Sequence, residues 1–173
     1  MIPKRIVLDT NVCLDLFVFN DSRWQLLLDA LRDGTVDAVT REDCRKEWQI
    51  VLGYSHLGLD ELARRQCAEQ FDGLIRCMPM ATADDSSTRL PLCRDRDDQK
   101  FLECARDAGA SILITKDKAL LKLAGKTRRA GLFQIMLPEQ WLKTTANDAA
   151  VPSSDQSHPI DPITCKSDSA ATS

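Results

Sequence analysis

The chain has 173 residues, 43% hydrophobic and 28% charged, with a formal net charge of −3. This suits one globular α/β domain with a core and a tail, and no apolar run reaches the length a bilayer span needs. The acidic balance argues against a protein that coats nucleic acid, but it leaves room for a local site that cuts it.

The opening Met1-Ile2-Pro3-Lys4-Arg5 leads straight into a strand-like run, with no apolar signal segment, so the expected location is cytoplasmic. Seven cysteines (Cys13, Cys44, Cys67, Cys77, Cys93, Cys104 and Cys165) are irregularly spaced, and no C-x-x-C occurs. That pattern predicts reduced thiols, several buried as small hydrophobes, and neither a zinc ribbon nor a disulfide framework.

Ile6-Val7-Leu8 reads as a buried strand that stops at Asp9-Thr10-Asn11. Residues 12–19 predict a short helix capped by Thr10 or Asn11, and a second helix starts near Ser22, with Trp24, Leu27, Leu28 and Leu31 at helical spacing and Gly34 as its stop. Val36-Asp37-Ala38-Val39 is the second strand. Thr40 is the expected N-cap of a helix over 41–53, with Trp48, Val51 and Leu52 on its apolar side. A further helix is expected over 61–76, with Leu62, Cys67, Phe71, Leu74 and Ile75 facing the core, followed by a short edge strand at Met78-Pro79-Met80.

Residues 84–95 are turn-rich, and 97–108 form a helical pattern with Phe101, Leu102 and Ala105, closed by Gly109. Ser111-Ile112-Leu113-Ile114-Thr115 is the clearest buried strand. A helix carrying Ala119, Leu120, Leu121 and Leu123 follows it, then a last strand at 133–137 and a helix from Pro138. From Thr144 the composition turns to Ser, Thr, Asp, Ala and Pro, so the expected organisation is one domain over 1–143 and a disordered low-complexity tail over 144–173. Alternating strands and helices predict a three-layer α/β/α fold on a mainly parallel sheet, with the site beyond the carboxyl ends of the strands.

Two strong strands, ending at Leu8 and Ile114, both finish beside an aspartate, Asp9 and Asp117. Parallel strands bring these to one edge, where Glu47 and Asp98 on the intervening helices can join them. Two unit charges ~4 Å apart at an effective dielectric of about 20 repel by roughly 4 kcal/mol. Such a cluster needs protons or cations, and an all-oxygen set suits Mg²⁺ or Mn²⁺. His56 and His158 are the only histidines, so no His/Cys cluster competes for zinc.

Val7-Leu8-Asp9-Thr10-Asn11-Val12 resembles the opening of the PIN-domain family. The run from Asp95-Arg96-Asp97-Asp98 through Ala105 resembles its third acidic motif, and Ile114-Thr115-Lys116-Asp117-Lys118-Ala119-Leu120-Leu121 its fourth. Glu47 stands in the place of the second acid. The likeness runs from Ile6 to Leu142 and is closest to the VapC-like branch of toxins from toxin–antitoxin pairs. It implies a PIN-like fold and a metal-dependent endoribonuclease. Asp9, Glu47, Asp98 and Asp117 would bind one or two Mg²⁺ or Mn²⁺ ions that activate water and neutralise the scissile phosphate. It implies Asn11 and Thr115 as orienting residues, Asp97 as an extra ligand ahead of Asp95, single-stranded RNA as substrate, a separately encoded antitoxin and a homodimer.

Plainer readings exist for each motif. Asp9-Thr10-Asn11 and Asp117 suit helix caps, and Asp97-Asp98 suit a helix dipole. A helical Glu47 is ordinarily solvated. Lys116 stands where the family often has Gly; it and Lys118 are candidate RNA contacts, with Lys116 expected to point to solvent. The basic stretch that continues through Lys122, Lys126, Arg128 and Arg129 suits either an RNA groove or a solvated face. Trp24, Trp48 and Trp141 are expected in the core. The alternative functions are a non-catalytic RNA-binding or protein-interaction module and a phosphatase using Asp9 as nucleophile. Asn11 stands where the phosphatase would want a second aspartate.

Overall fold

The computed structural model describes residues 2–80 and 88–149. Part of the turn-rich segment, most of the expected tail, His158 and Cys165 lie outside the described residues.

Five strands form one sheet: β1 (Lys4–Leu8), β2 (Val36–Arg41), β3 (Arg76–Met78), β4 (Ile112–Ile114) and β5 (Gln134–Met136). Their order is β3-β2-β1-β4-β5, and every pair is parallel. The chain winds outward from β1 through β2 to β3, then crosses over to build β4 and β5 on the other side. The reversal between β1 and β4 opens a crevice beyond their carboxyl ends, where open α/β sheets bind ligands.

The helices are α1 (Thr10–Phe17), α2 (Gln25–Arg32), α3 (Glu42–Leu52), α4 (Glu61–Leu74), α5 (Gln99–Asp107), α6 (Lys118–Leu121), α7 (Ala124–Arg129) and α8 (Pro138–Ala149). Strand side chains alternate between two cores, as a period of two requires. Ile6, Leu8, Ala38, Ile112, Ile114 and Met136 pack on the face covered by α1, α2, α4 and α8. Val7, Val39, Leu113 and Ile135 pack on the opposite face with Phe101, Leu102 and Leu120. The three-layer arrangement expected from the sequence is present. No helix among the described residues is long and apolar enough to cross a membrane.

Some local expectations are corrected. Thr40 is not an N-cap: β2 runs on through Arg41, because Thr40 and Arg41 pair with Cys77 and Met78 of β3. Leu62 is 62% exposed. It lies five positions before Cys67, about 140° around the helix from that buried residue. The edge strand begins at Arg76, two residues earlier than the Met-Pro-Met run suggested. Asp97 and Asp98 precede α5 instead of opening it, and the helix after β4 is split in two. Helix α8 runs past the composition change at Thr144, whose hydroxyl donates to the Trp141 carbonyl at 2.7 Å.

Trp24, Trp48 and Trp141 are all buried, as expected. Trp48 stacks on Phe71 at 5.2 Å and meets Phe17 edge-on at 6.0 Å, which anchors α3 between α1 and α4. Cys13, Cys44, Cys67, Cys93 and Cys104 are free and buried; Cys77 is free and exposed.

Candidate active site

Asp9 follows β1 directly. Its amide donates to the Ile114 carbonyl at 3.0 Å, tying it to the end of β4, and its own carbonyl accepts from Val12 and Cys13 to start α1. The backbone does the capping, and the carboxylate makes no cap hydrogen bond. The side chain is therefore available for another task, which removes the reading of Asp9-Thr10-Asn11 as a mere cap.

Asp9 is 4% exposed. Thr115 Oγ1 donates to Asp9 Oδ2 at 2.6 Å, and Asn11 Nδ2 donates to the same oxygen at 3.0 Å. The Thr115 hydroxyl also accepts from the Asp117 amide at 2.9 Å, so its proton is committed to Asp9. Asn11 Oδ1 accepts from the Lys116 amide at 3.3 Å, which fixes the orientation of that side-chain amide. Asn11 and Thr115 thus both donate to Asp9 and fix its side chain.

Glu47 comes from the far side of the crevice on α3. Thr10 Oγ1 donates to its Oε1 at 2.7 Å, and Lys100 Nζ of α5 pairs with its Oε2. Asp117 does serve as a cap, accepting from the Ala119 and Leu120 amides at 2.7 and 3.1 Å through Oδ1. Asp98 makes no side-chain cap bond.

The charges of Asp9, Glu47, Asp98 and Asp117 lie near enough to influence one another. Burial raises the Asp9 pKa above the usual aspartate value; the Thr115 and Thr10 hydrogen bonds oppose the rise, while the charges of Glu47 and Asp117 add to it. Burial, together with Asp9, Asp117, Asp95 and Glu47, raises Asp98 to about 7. Carboxylates from four separate chain segments therefore influence one another's charge. Asp97 is exposed, and the Asp95 carboxylate accepts from the Asp97 amide at 3.0 Å.

Three neighbours were not legible in the motifs. Lys100 neutralises Glu47. Thr10 orients it. Arg41, with only 6% of its side chain exposed, pairs with Asp43, Glu103 and Asp107 at 2.5, 2.8 and 3.1 Å, which fixes α5 against the start of α3. Lys116 corrects an expectation: its ammonium is not free in solvent but lies 2.6 Å from Asp15 Oδ2, an oxygen that also accepts from Trp24 Nε1 at 3.1 Å. Lys118 is exposed.

The PIN domain family model matches residues 5–119. The chain belongs to the PIN domain family. PIN domains are generally nucleases and usually use divalent metals. The match begins in β1 and ends in α6, so it spans Asp9, Glu47, Asp98 and Asp117. No curated protein matches the chain.

The donor chemistry of this PIN domain fits a hard divalent cation. The set is all oxygen, and Asp98 is raised first by its burial and then by the negative charges of Asp9, Asp117, Asp95 and Glu47. Among the described residues, no three acidic, His or Cys side chains are already drawn together at metal-holding spacing.

Proposed function

We propose that this chain is a metal-dependent endoribonuclease that hydrolyses phosphodiester bonds of single-stranded RNA. In this reading it is the cytoplasmic toxin of a pair whose antitoxin is separately encoded, and it acts as a homodimer. Asp9, Glu47, Asp98 and Asp117 hold one or two Mg²⁺ or Mn²⁺ ions. The supporting observation is the position of Asp9. It lies at the β1–β4 reversal, oriented by Thr115 and Asn11, and its pKa is raised chiefly by burial, with the charges of Glu47 and Asp117 from other elements adding to the rise. A fold spends a buried, mutually repelling carboxylate this way when a cation compensates for it.

The bound cation supplies electrostatic stabilisation of the phosphate and makes water a better nucleophile at neutral pH. The protein's own part is positional. Thr115 and Asn11 hold Asp9, Thr10 holds Glu47, and the α6 amides hold Asp117. Lys100 pairs with Glu47 and offsets part of the negative charge of the four acids.

Purified full-length chain should cut labelled single-stranded RNA with Mg²⁺ or Mn²⁺ and stop on EDTA. Asp9→Asn should abolish cutting while the circular dichroism spectrum stays native. Cutting that survives in Asp9→Asn, once contaminating nucleases are excluded, would defeat the reading.

A further inference from the structure

A second cavity, of about 700 Å³, opens beside the acidic site and shares Lys100 with it as a wall. Its lining also includes Leu92, Arg94, Arg96, Gln99 and two carboxylates, Asp97 and Glu103, the second of them already paired with Arg41. The volume is in the range that small-molecule sites use.

This cavity is built by specific bonds. Gln99, on the first turn of α5, accepts from the Cys93 amide at 2.7 Å through Oε1 and donates to the Pro91 carbonyl at 3.3 Å through Nε2. Cys93 is pinned inward at 7% exposed, and Leu92 is turned outward at 84% exposed. Arg94 and Arg96 follow, both exposed, and among the described residues neither guanidinium has a hydrogen-bond or ion-pair partner. Arg5, Arg41 and Arg45 are by contrast matched with carboxylates, whereas Arg89, Arg128 and Arg129, away from this cavity's lining, share the lack of a partner among the described residues. Two unmatched guanidiniums beside an acidic centre, in a chain of net negative charge, mark the place where an anion would be received.

We propose that this cavity is the subsite for the nucleotide adjoining the scissile phosphate of a single-stranded RNA. Arg94 and Arg96 take its phosphate, Leu92 packs against the base, and Lys100 separates this nucleotide from the reacting one. Unpaired strands are held by basic contacts to the backbone together with side-chain surfaces that take the bases, guanidinium planes among them. The inference rests on the nuclease reading and adds to it the direction in which the strand leaves the acids.

The test uses full-length chain carrying Arg94→Ala and Arg96→Ala together, with Arg65→Ala on α4 as a control. RNA cleavage should show KM raised about fivefold to tenfold, with kcat within about twofold. Fluorescence anisotropy with a labelled single-stranded RNA, in an Asp9→Asn background that does not cut it, should show weaker binding. The dependence of log affinity on log salt should become shallower by about 0.7, the value for one lost phosphate contact on a single strand. The control should change neither. If the parent cuts RNA and the double variant keeps its KM and salt slope, the subsite is overturned and the nuclease reading stands. If the parent neither binds nor cuts RNA, both fall.

Discussion

The ammonium of Lys100 occupies Oε2 of Glu47, while Thr10 Oγ1 donates to Oε1 at 2.7 Å. Glu47 is thus held by two partners before any cation arrives, and a cation must compete with one of them. Lys100→Met keeps the stem and removes the charge. Metal-free protein should lose about 1 kcal/mol, modest because both side chains are part-exposed, which lowers Tm by roughly 2–4 °C. Affinity for Mn²⁺, measured by calorimetry, should rise severalfold because Glu47 is released. Unchanged affinity would remove Glu47 from the ligand set.

Asp98 gives a pH dependence with a definite sign. Burial and its acidic neighbours raise its folded pKa from 3.8 to about 7. Between those values the folded chain keeps a proton that the unfolded chain has lost. Its contribution to stability is therefore complete below about 4 and lost as pH rises through about 7. The Tm of EDTA-treated protein should fall over that window, and Asp98→Asn should flatten the fall. Added Mg²⁺ should restore Tm at the upper end, since the cation takes over from the proton. A Tm that ignores Mg²⁺ at pH 7–8 would count against a shared cation site.

Thr115 is fully buried and serves two masters, donating to Asp9 and accepting from the Asp117 amide. Thr115→Val preserves shape and removes both bonds. It should cost about 1–3 kcal/mol in chemical denaturation and lower RNA cleavage more than tenfold. Thr115→Ser restores the hydroxyl and should recover most of the cleavage. If the valine variant cleaves like the parent, the hydroxyl does not orient Asp9.

The strands and the acids were legible because each follows from local pattern. An apolar run ending in Asp-Thr-Asn and another ending in Thr-Lys-Asp predict strand ends on one edge, and parallel pairing of Leu8 with Ile114 puts them there. What the sequence hid are pairings between distant charges. Nothing in the spacing joins Lys100 to Glu47, or Arg41 to Glu103 and Asp107, because their proximity is set by how α5 packs on α3. Helix starts were also hard to read. Thr40 looks like a cap, but its pairing with Cys77 keeps it in the sheet.

Lys116 carries the last prediction. Read from sequence, it points to solvent; in the fold its ammonium meets Asp15 Oδ2 at 2.6 Å, beside the Trp24 indole donor. Asp15 is 7% exposed, so removing the lysine leaves a buried carboxylate with the indole as its remaining side-chain donor. Lys116→Met should therefore destabilise by about 1–2 kcal/mol, a value reduced because the lysine is itself part-exposed. A solvated lysine would shift stability by no more than about 0.5 kcal/mol. Asp15→Asn, alone and combined, completes a double-mutant cycle. A coupling of about 1 kcal/mol between the two positions confirms the pair, and additivity within about 0.3 kcal/mol would show that Lys116 does not hold Asp15 in solution.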